Sequence, residues 1–546
     1  MGIFIHLDIS KSVTQEEWQK VYEESLFLAK LFNLGECKTI EIHQQNVYCM
    51  VKTNEKTEML GWGEKTPHTG WETCGDYITM RRAEDEYMPK NLVKDEKEVQ
   101  TDAGDAILSE LPGYLSYSYD DKLCKQAYHI WGNKTQGEPY HMYLLAIACM
   151  IESRLGNKAF ISGDITRGQC VKAVEMANQY LTKPVEMPSR CDLERFYKRI
   201  SMLPLDDLEQ FELFDALYLG NKDADYGAFI RKNYSSDVFH RYWKNEFKDI
   251  NPKDIGLSRP FSHYMLWGFG LEQVFDYIQL KTKKSYTDFI KSIMKSKLHV
   301  KEKYTDDVIG IDQDSQAPYS IWTLMAQFAF RGAKNYMVDR YIPIDEIRNM
   351  FNRVIGDKCD VNSIIEQCLR DEESEKTITD DDLNNRNIRL EDYSNTAETF
   401  NKVLARRIEE EAEYQQRYDI SMPEDALFFE KGNTIAPIIC SSMKGLYKLY
   451  LSLQEEDEYK SFFKEEVNEH FRFLIKCNKY VLLRDCDWNR IYDDISNNPK
   501  SFGRYYTMVC TKVSHDNIIY ILRAWTLNDQ FFEQCRIEYE NTIDDE

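Results

Sequence analysis

The segment Glu138–Leu155, EPYHMYLLAIACMIESRL, decides the fold class. Pro139 falls in the first turn of a helix, where a missing backbone N–H costs nothing. From Met142 to Ile151 every residue is apolar. A helix that is apolar on all sides must be wrapped by other elements, and this run is half the roughly 20 residues needed to cross a bilayer. The expected centre of the protein is therefore a buried helix inside a helical body, not a membrane anchor.

Outward from it, Ala159–Ile165 reads as a short strand, and Thr166 with Gln169 supplies a capping box for the helix that follows. Further helices are expected at Asp192–Met202, Leu205–Leu219, Phe261–Ile278 and Ser285–Lys297, the last capped by Ser285 and Asp288. Gly-Asn-Lys recurs at Gly132, Gly156 and Gly220 at unequal spacings. We read it as helix-ending chemistry, glycine taking the left-handed position and lysine facing the negative helix end.

Towards the N-terminus the pattern changes to period two. Gly2–Ile9 alternates like a strand, Thr14 and Glu17 cap a helix through Trp18 and Leu26, and Thr39–His43 with Val47–Lys52 flank a Gln-Gln-Asn turn. A last strand is expected near Tyr77–Arg82. The fold class is thus mainly α, a multi-helix body with a small N-terminal α+β domain of strand, helix and antiparallel meander. The expected layout is 1–95 for that domain, 100–370 for a helical domain with one short strand, 371–394 for an acidic linker and 395–546 for a C-terminal helical bundle.

Composition bounds the function. The 546 residues hold 69 Lys and Arg against 92 Asp and Glu, a net charge of -23. Such a surface repels phosphate backbones, which disfavours nucleic acid as a partner, and attracts a basic protein. Met1–Ser10 has no basic segment, and its short apolar stretch is broken by His6 and Asp8, so export is not expected. The 14 cysteines contain no Cys-x-x-Cys pair, which suits reduced core thiols in the cytoplasm and gives no zinc ribbon.

No nucleotide loop, nucleophile elbow or zinc-protease motif is present, and no cofactor is expected. Three Asp-x-Asp pairs, at Asp223, Asp312 and Asp485, could offer hard oxygens to a cation. The sharper constellation lies on the buried helix, where Glu138, His141, Ala148, Cys149 and Glu152 share one face at 3.6 residues per turn. Asp164 stands at the next strand-to-helix turn. Buried ionisable groups need partners or shift their pKa, as functional sites often do. If the chain is an enzyme, Glu138, His141, Glu152 and Asp164 would form its carboxylate-based site, with or without a divalent metal. A weaker grouping is His263, Glu272 and Asp276.

The leading expectation is instead a cytoplasmic interaction protein that binds a partner without catalysis, an immunity or antitoxin role against a basic toxin being one form that suits the charge. Trp62 and Trp71, in a loop rich in glycine, are the expected aromatic anchors for that partner.

Overall fold

The computed structural model describes residues 2–59, 68–92, 104–110, 127–251, 257–295, 342–374, 423–435, 437–513 and 516–544. The strands are β1 (Ile5–Ser10), β2 (Leu34–Ile42), β3 (Gln45–Lys52), β4 (Lys56–Met59), β5 (His68–Asp76), β6 (Arg82–Pro89), β7 (Ala127–Trp131) and β8 (Ala159–Gly163). The helices used below are α1 (Gln15–Leu31), α2 (Tyr140–Leu155), α3 (Arg167–Asn178), α4 (Leu193–Ile200), α5 (Asp207–Leu217), α6 (Ala224–Asn233), α7 (Ser236–Phe247), α8 (Ser258–Leu266), α9 (Lys283–Lys295), α10 (Ile344–Ile355) and α11 (Val361–Ser374). They continue with α12 (Pro437–Glu455), α13 (Asp457–Phe462), α14 (Val467–Cys477), α15 (Asp485–Asn497), α16 (Phe502–Cys510), α17 (Asp516–Leu527) and α18 (Asp529–Asp544). The protein is mainly α-helical, with antiparallel sheets towards its N-terminus.

Chain contacts group into two units, and neither is one continuous stretch. The first gathers Met1–Glu17, Val93–Gly132 and Leu144–Ile408; the second gathers Trp18–Leu92, Asn133–Tyr143 and Glu409–Glu546. Of the expected acidic linker, residues 371–374 end α11, and the rest lies outside the described residues.

In the first unit β1 is the centre of a three-stranded antiparallel sheet, ordered β7-β1-β8. Ile5, Leu7 and Ile9 are fully buried, as the alternation predicts. β7 was not legible as a strand. Residues Leu144–Ile151 of α2 are all fully buried, in agreement with an apolar surface on every side. Helices α4 to α11 enclose an aromatic core in which Phe211 meets Tyr242 edge-on at 4.8 Å and Trp243 meets Tyr264 at 5.1 Å, a geometry favoured by ring quadrupoles. The expected helix Phe261–Ile278 is interrupted. Gly268 adopts φ +85, a left-handed conformation that ends α8 and that other residues adopt at a cost. The cap of α9 also lies one turn earlier than expected: Ser285 N donates to Thr282 Oγ1 at 3.1 Å and Thr282 N to Ser285 Oγ at 3.0 Å.

In the second unit β2 and β3 form a hairpin whose two turn residues are His43 (φ 46) and Gln44 (φ 63). The turn is thus one residue earlier than the Gln-Gln-Asn reading. Two successive left-handed residues match the strand twist, and the resulting register sets Ile40 opposite Val47 and Cys37 opposite Met50. Of the strand expected at Tyr77–Arg82, residues 77–81 form a turn and only Arg82 is in a strand, at the start of β6. The Asp76 carboxylate accepts from Ile78 N at 3.1 Å, Thr79 N at 3.0 Å and Thr79 Oγ1 at 2.6 Å, which folds the chain back between β5 and β6. The same unit contains the late helices. Met50 N donates to Leu483 O at 3.0 Å, Tyr77 Oη to Asp485 Oδ1 at 2.7 Å, and Arg523 Nη1 to Thr79 O at 2.8 Å. Among the described residues no helix is long and apolar enough to cross a membrane.

Candidate functional site

The expected catalytic residues fall in both units. Glu138 and His141 belong to the second. Glu138 Oε2 lies 2.7 Å from Arg81 Nε. His141 is fully buried, its Nδ1 2.7 Å from Thr135 Oγ1, and its Nε2 has no hydrogen-bond partner among the described residues. Burial alone pushes the imidazole down to about 4, so the ring is neutral at pH 7.

Glu152 and Asp164 belong to the first unit. Glu152, near the end of α2, accepts from Ser189 N at 2.8 Å, Ser189 Oγ at 3.0 Å and Arg199 Nη1 at 3.4 Å. Arg199, 2% exposed, also reaches Ser189 Oγ at 2.8 Å and grips Asp105 through Nε at 2.7 Å and Nη2 at 2.5 Å. Its remaining bonds end on backbone: Nη2 donates to Asn157 O at 3.2 Å and Ala159 O at 2.9 Å. Arg190 acts alike, with Nη1 on Ile161 O at 2.9 Å and Nε on Leu217 O at 2.7 Å. Both guanidiniums lie over the Phe160 ring, at 5.4 Å and 5.2 Å from its centroid.

This arrangement has a structural logic. β8 is at the edge of its sheet, and an edge strand exposes a row of unpaired carbonyls. Here Ala159 O and Ile161 O receive guanidinium donors in place of another strand, and Glu152 and Asp105 balance the buried positive charge. Asp164 serves the opposite edge of the same strand. Its Oδ2 accepts from Phe4 N at 3.0 Å while its own N donates to Phe4 O at 2.9 Å, which extends the β1–β8 ladder by one step. Burial raises its pKa, opposed by the Phe4 N–H.

A second cluster went unnoticed in the sequence. Period two along β1 sets Phe4, His6, Asp8 and Ser10 on one face, and β7 brings His129 opposite Asp8. His129 Nδ1 is 3.0 Å from Asp8 Oδ1; the carboxylate is 5% exposed and the imidazole 56%. His6 lies beside it with ring centroids 5.6 Å apart, and Phe4 stacks on His6 at 5.8 Å. A Cβ at Gly132 would sit 2.0 Å from His129 Nε2, so this glycine leaves room for the ring and does not end a helix. Of the three Gly-Asn-Lys sites only Gly156 has positive φ, +60. The signal for the cluster was the polar half of the β1 alternation, which reads equally well as a solvent face.

The other candidates fill structural roles. Asp223 caps α6 by accepting from Asp225 N and Tyr226 N, both at 3.0 Å. Asp487 pairs with Arg484 at 2.8 Å, while Asp312 and Asp314 lie outside the described residues. His263 stacks on Trp267 at 5.2 Å, and Glu272 pairs with Arg353 at 2.5 Å. Trp62 lies outside the described residues. Trp71 belongs to β5, not to a loop. It is fully buried and donates Nε1–H to Ser25 Oγ at 3.1 Å, so its ring is core and presents no anchor surface. Among the described residues no group of three or more His, Cys, Asp or Glu is arranged to hold a metal ion. The chain matches no family model, no curated protein and no solved structure.

Proposed function

We propose that this protein acts by binding a protein partner with a basic surface, not by turning over a substrate. The observation that carries this reading is where the acids go. Glu138, Glu152 and Asp105 are drawn inward onto Arg81 and Arg199, whereas Glu455, Glu456, Asp457 and Glu458 form an unbroken exposed run across the junction of α12 and α13. With a net charge of -23 behind it, such a surface steers a basic partner and repels nucleic acid. An immunity or antitoxin role towards a basic toxin is one form of this activity. A cytoplasmic site of action is supported by the 13 described cysteines, all of them free thiols.

The test is capture of partners by the full chain, followed by association kinetics from 0.05 to 0.5 M salt, for the wild type and for E455Q/E456Q/D457N/E458Q. A basic partner whose association slows with salt, and slows again in the variant, supports the reading. A rate indifferent to both overturns it.

One observation favours an enzyme as the second reading: a buried carboxylate, Asp8, orients an exposed imidazole, His129, as in general-base sites. Loss of a measurable turnover in H129Q, with partner capture unchanged, would favour it.

A further inference from the structure

Most thiols described here are core groups, but two are placed for chemistry. Cys37 on β2 is half-buried and Cys74 on β5 is 2% exposed. Cys74 donates its S–H to Cys37 Sγ at 3.5 Å. β2 and β5 pair only at Leu34 with Asp76 and Gly35 with Gly75, and β5 shifts its register between Thr73 and Gly75, the irregularity at which Cys74 meets Cys37. Two further groups close on Cys37. Tyr48 lies two residues from Met50, which is directly opposite Cys37, and accepts from Arg82 Nη1 at 3.1 Å. Arg82 itself is paired with Gly75, beside Cys74. The donated Cys74 S–H first, then the Arg82 charge and the Tyr48 and Arg82 hydrogen bonds, hold the Cys37 thiol below its ordinary range, while the bond to Cys37 and burial push Cys74 up. Other thiols are pushed up, Cys49 to about 12 chiefly by burial, and Cys170 and Cys191 first by contacts with the buried thiols Cys149 and Cys170. The pair thus divides into a partly accessible thiolate and a protonated neighbour in contact with it.

We propose that Cys37 and Cys74 form a reversible redox pair that takes a hydroperoxide as its oxidant. The Cys37 thiolate attacks the terminal peroxide oxygen, the O–O bond breaks, and the departing alkoxide or hydroxide takes a proton from water. Sulfur is oxidised by two electrons to a sulfenic acid and the peroxide is reduced by two to an alcohol or water. Cys74 sulfur then displaces the sulfenic oxygen, forming the S–S bond and releasing one water. The sulfurs must close from 3.5 Å to about 2.05 Å, and a small thiol reverses the reaction by exchange. This inference does not depend on the partner-binding reading.

The test uses the reduced full chain, brief exposure to hydrogen peroxide, alkylation of remaining thiols and mass spectrometry of the digest. The expected product is a Cys37–Cys74 cross-link two hydrogens lighter than the separate peptides, formed about tenfold faster than oxidation of Cys477 or Cys510. In C74S, Cys37 should instead be trapped as a sulfenic acid by a cyclic dione. In the wild type, alkylation of Cys37 should reach half its maximal rate below the ~8.5 of a free thiol, and R82Q should move that midpoint upward. Oxidation at Cys477 or Cys510 before Cys37, or a cross-link joining other cysteines, would overturn the proposal. So would an alkylation midpoint at or above that of a free thiol.

Discussion

Arg199 and Asp105 meet in a two-pronged contact, Nε to Oδ2 at 2.7 Å and Nη2 to Oδ1 at 2.5 Å, with 2% and 7% of the two side chains exposed. The same guanidinium serves Glu152, Ser189 and two backbone carbonyls. Removing it strands two buried carboxylates and an edge of β8 together. R199M should therefore destabilise the fold by about 3–5 kcal/mol in denaturant titration, and E152Q, which leaves the Asp105 contact intact, by less. Equal losses would mean that the carbonyl and Asp105 contacts carry little.

His141 makes stability depend on pH. Its folded pKa is depressed to about 4 from 6.5, so the unfolded chain binds the extra proton between those values. The contribution is fully present above pH 6.5 and is lost as pH falls towards 4, amounting to about 3 kcal/mol. H141N keeps a polar atom near Thr135 and removes the titration. The stability difference between the two proteins, measured from pH 7 to pH 4, should narrow by about that amount.

Leu145 tests whether α2 is central. It is fully buried, and L145A should cost about 2–5 kcal/mol through lost contacts and a residual cavity. A midpoint shift in urea with an unchanged slope is the expected signature.

Gly132 tests the imidazole pair. A methyl group there would meet His129 Nε2 at 2.0 Å, so G132A should displace that ring from Asp8. The expected readout is a displaced His129 ring resonance by NMR, with α2 and its core unaffected.

Local chemistry was legible at two capping boxes and along the apolar run of α2. The Thr14 box closes as read, Thr14 N donating to Glu17 Oε2 at 2.8 Å and Glu17 N to Thr14 Oγ1 at 3.2 Å. The Thr166 and Gln169 box does the same, and the apolar run of α2 is buried as its composition requires. What failed was of two kinds. Turn positions moved by a residue or a turn at His43 and Thr282, because competing hydrogen-bonding side chains stand side by side there. Distant pairings were invisible: His129 and Asp8 are 121 positions apart, and Glu152 finds Arg199 across 47. The expected cluster joined Glu138, His141 and Glu152, drawn from spacing along one helix, to Asp164 at the next turn, and spacing reports direction but not the partner each side chain meets.

The hydrogen bond from Tyr77 to Asp485 joins positions 408 residues apart, and that separation has a meaning in time. A ribosome adding about 5–20 residues per second needs roughly 20–80 s to cover it. Throughout that interval β2 to β6 have emerged without the late helices that share their unit. The nascent sheet must wait with apolar side chains such as Met50 and Tyr77 uncovered, which makes it a target for a chaperone of the translating chain.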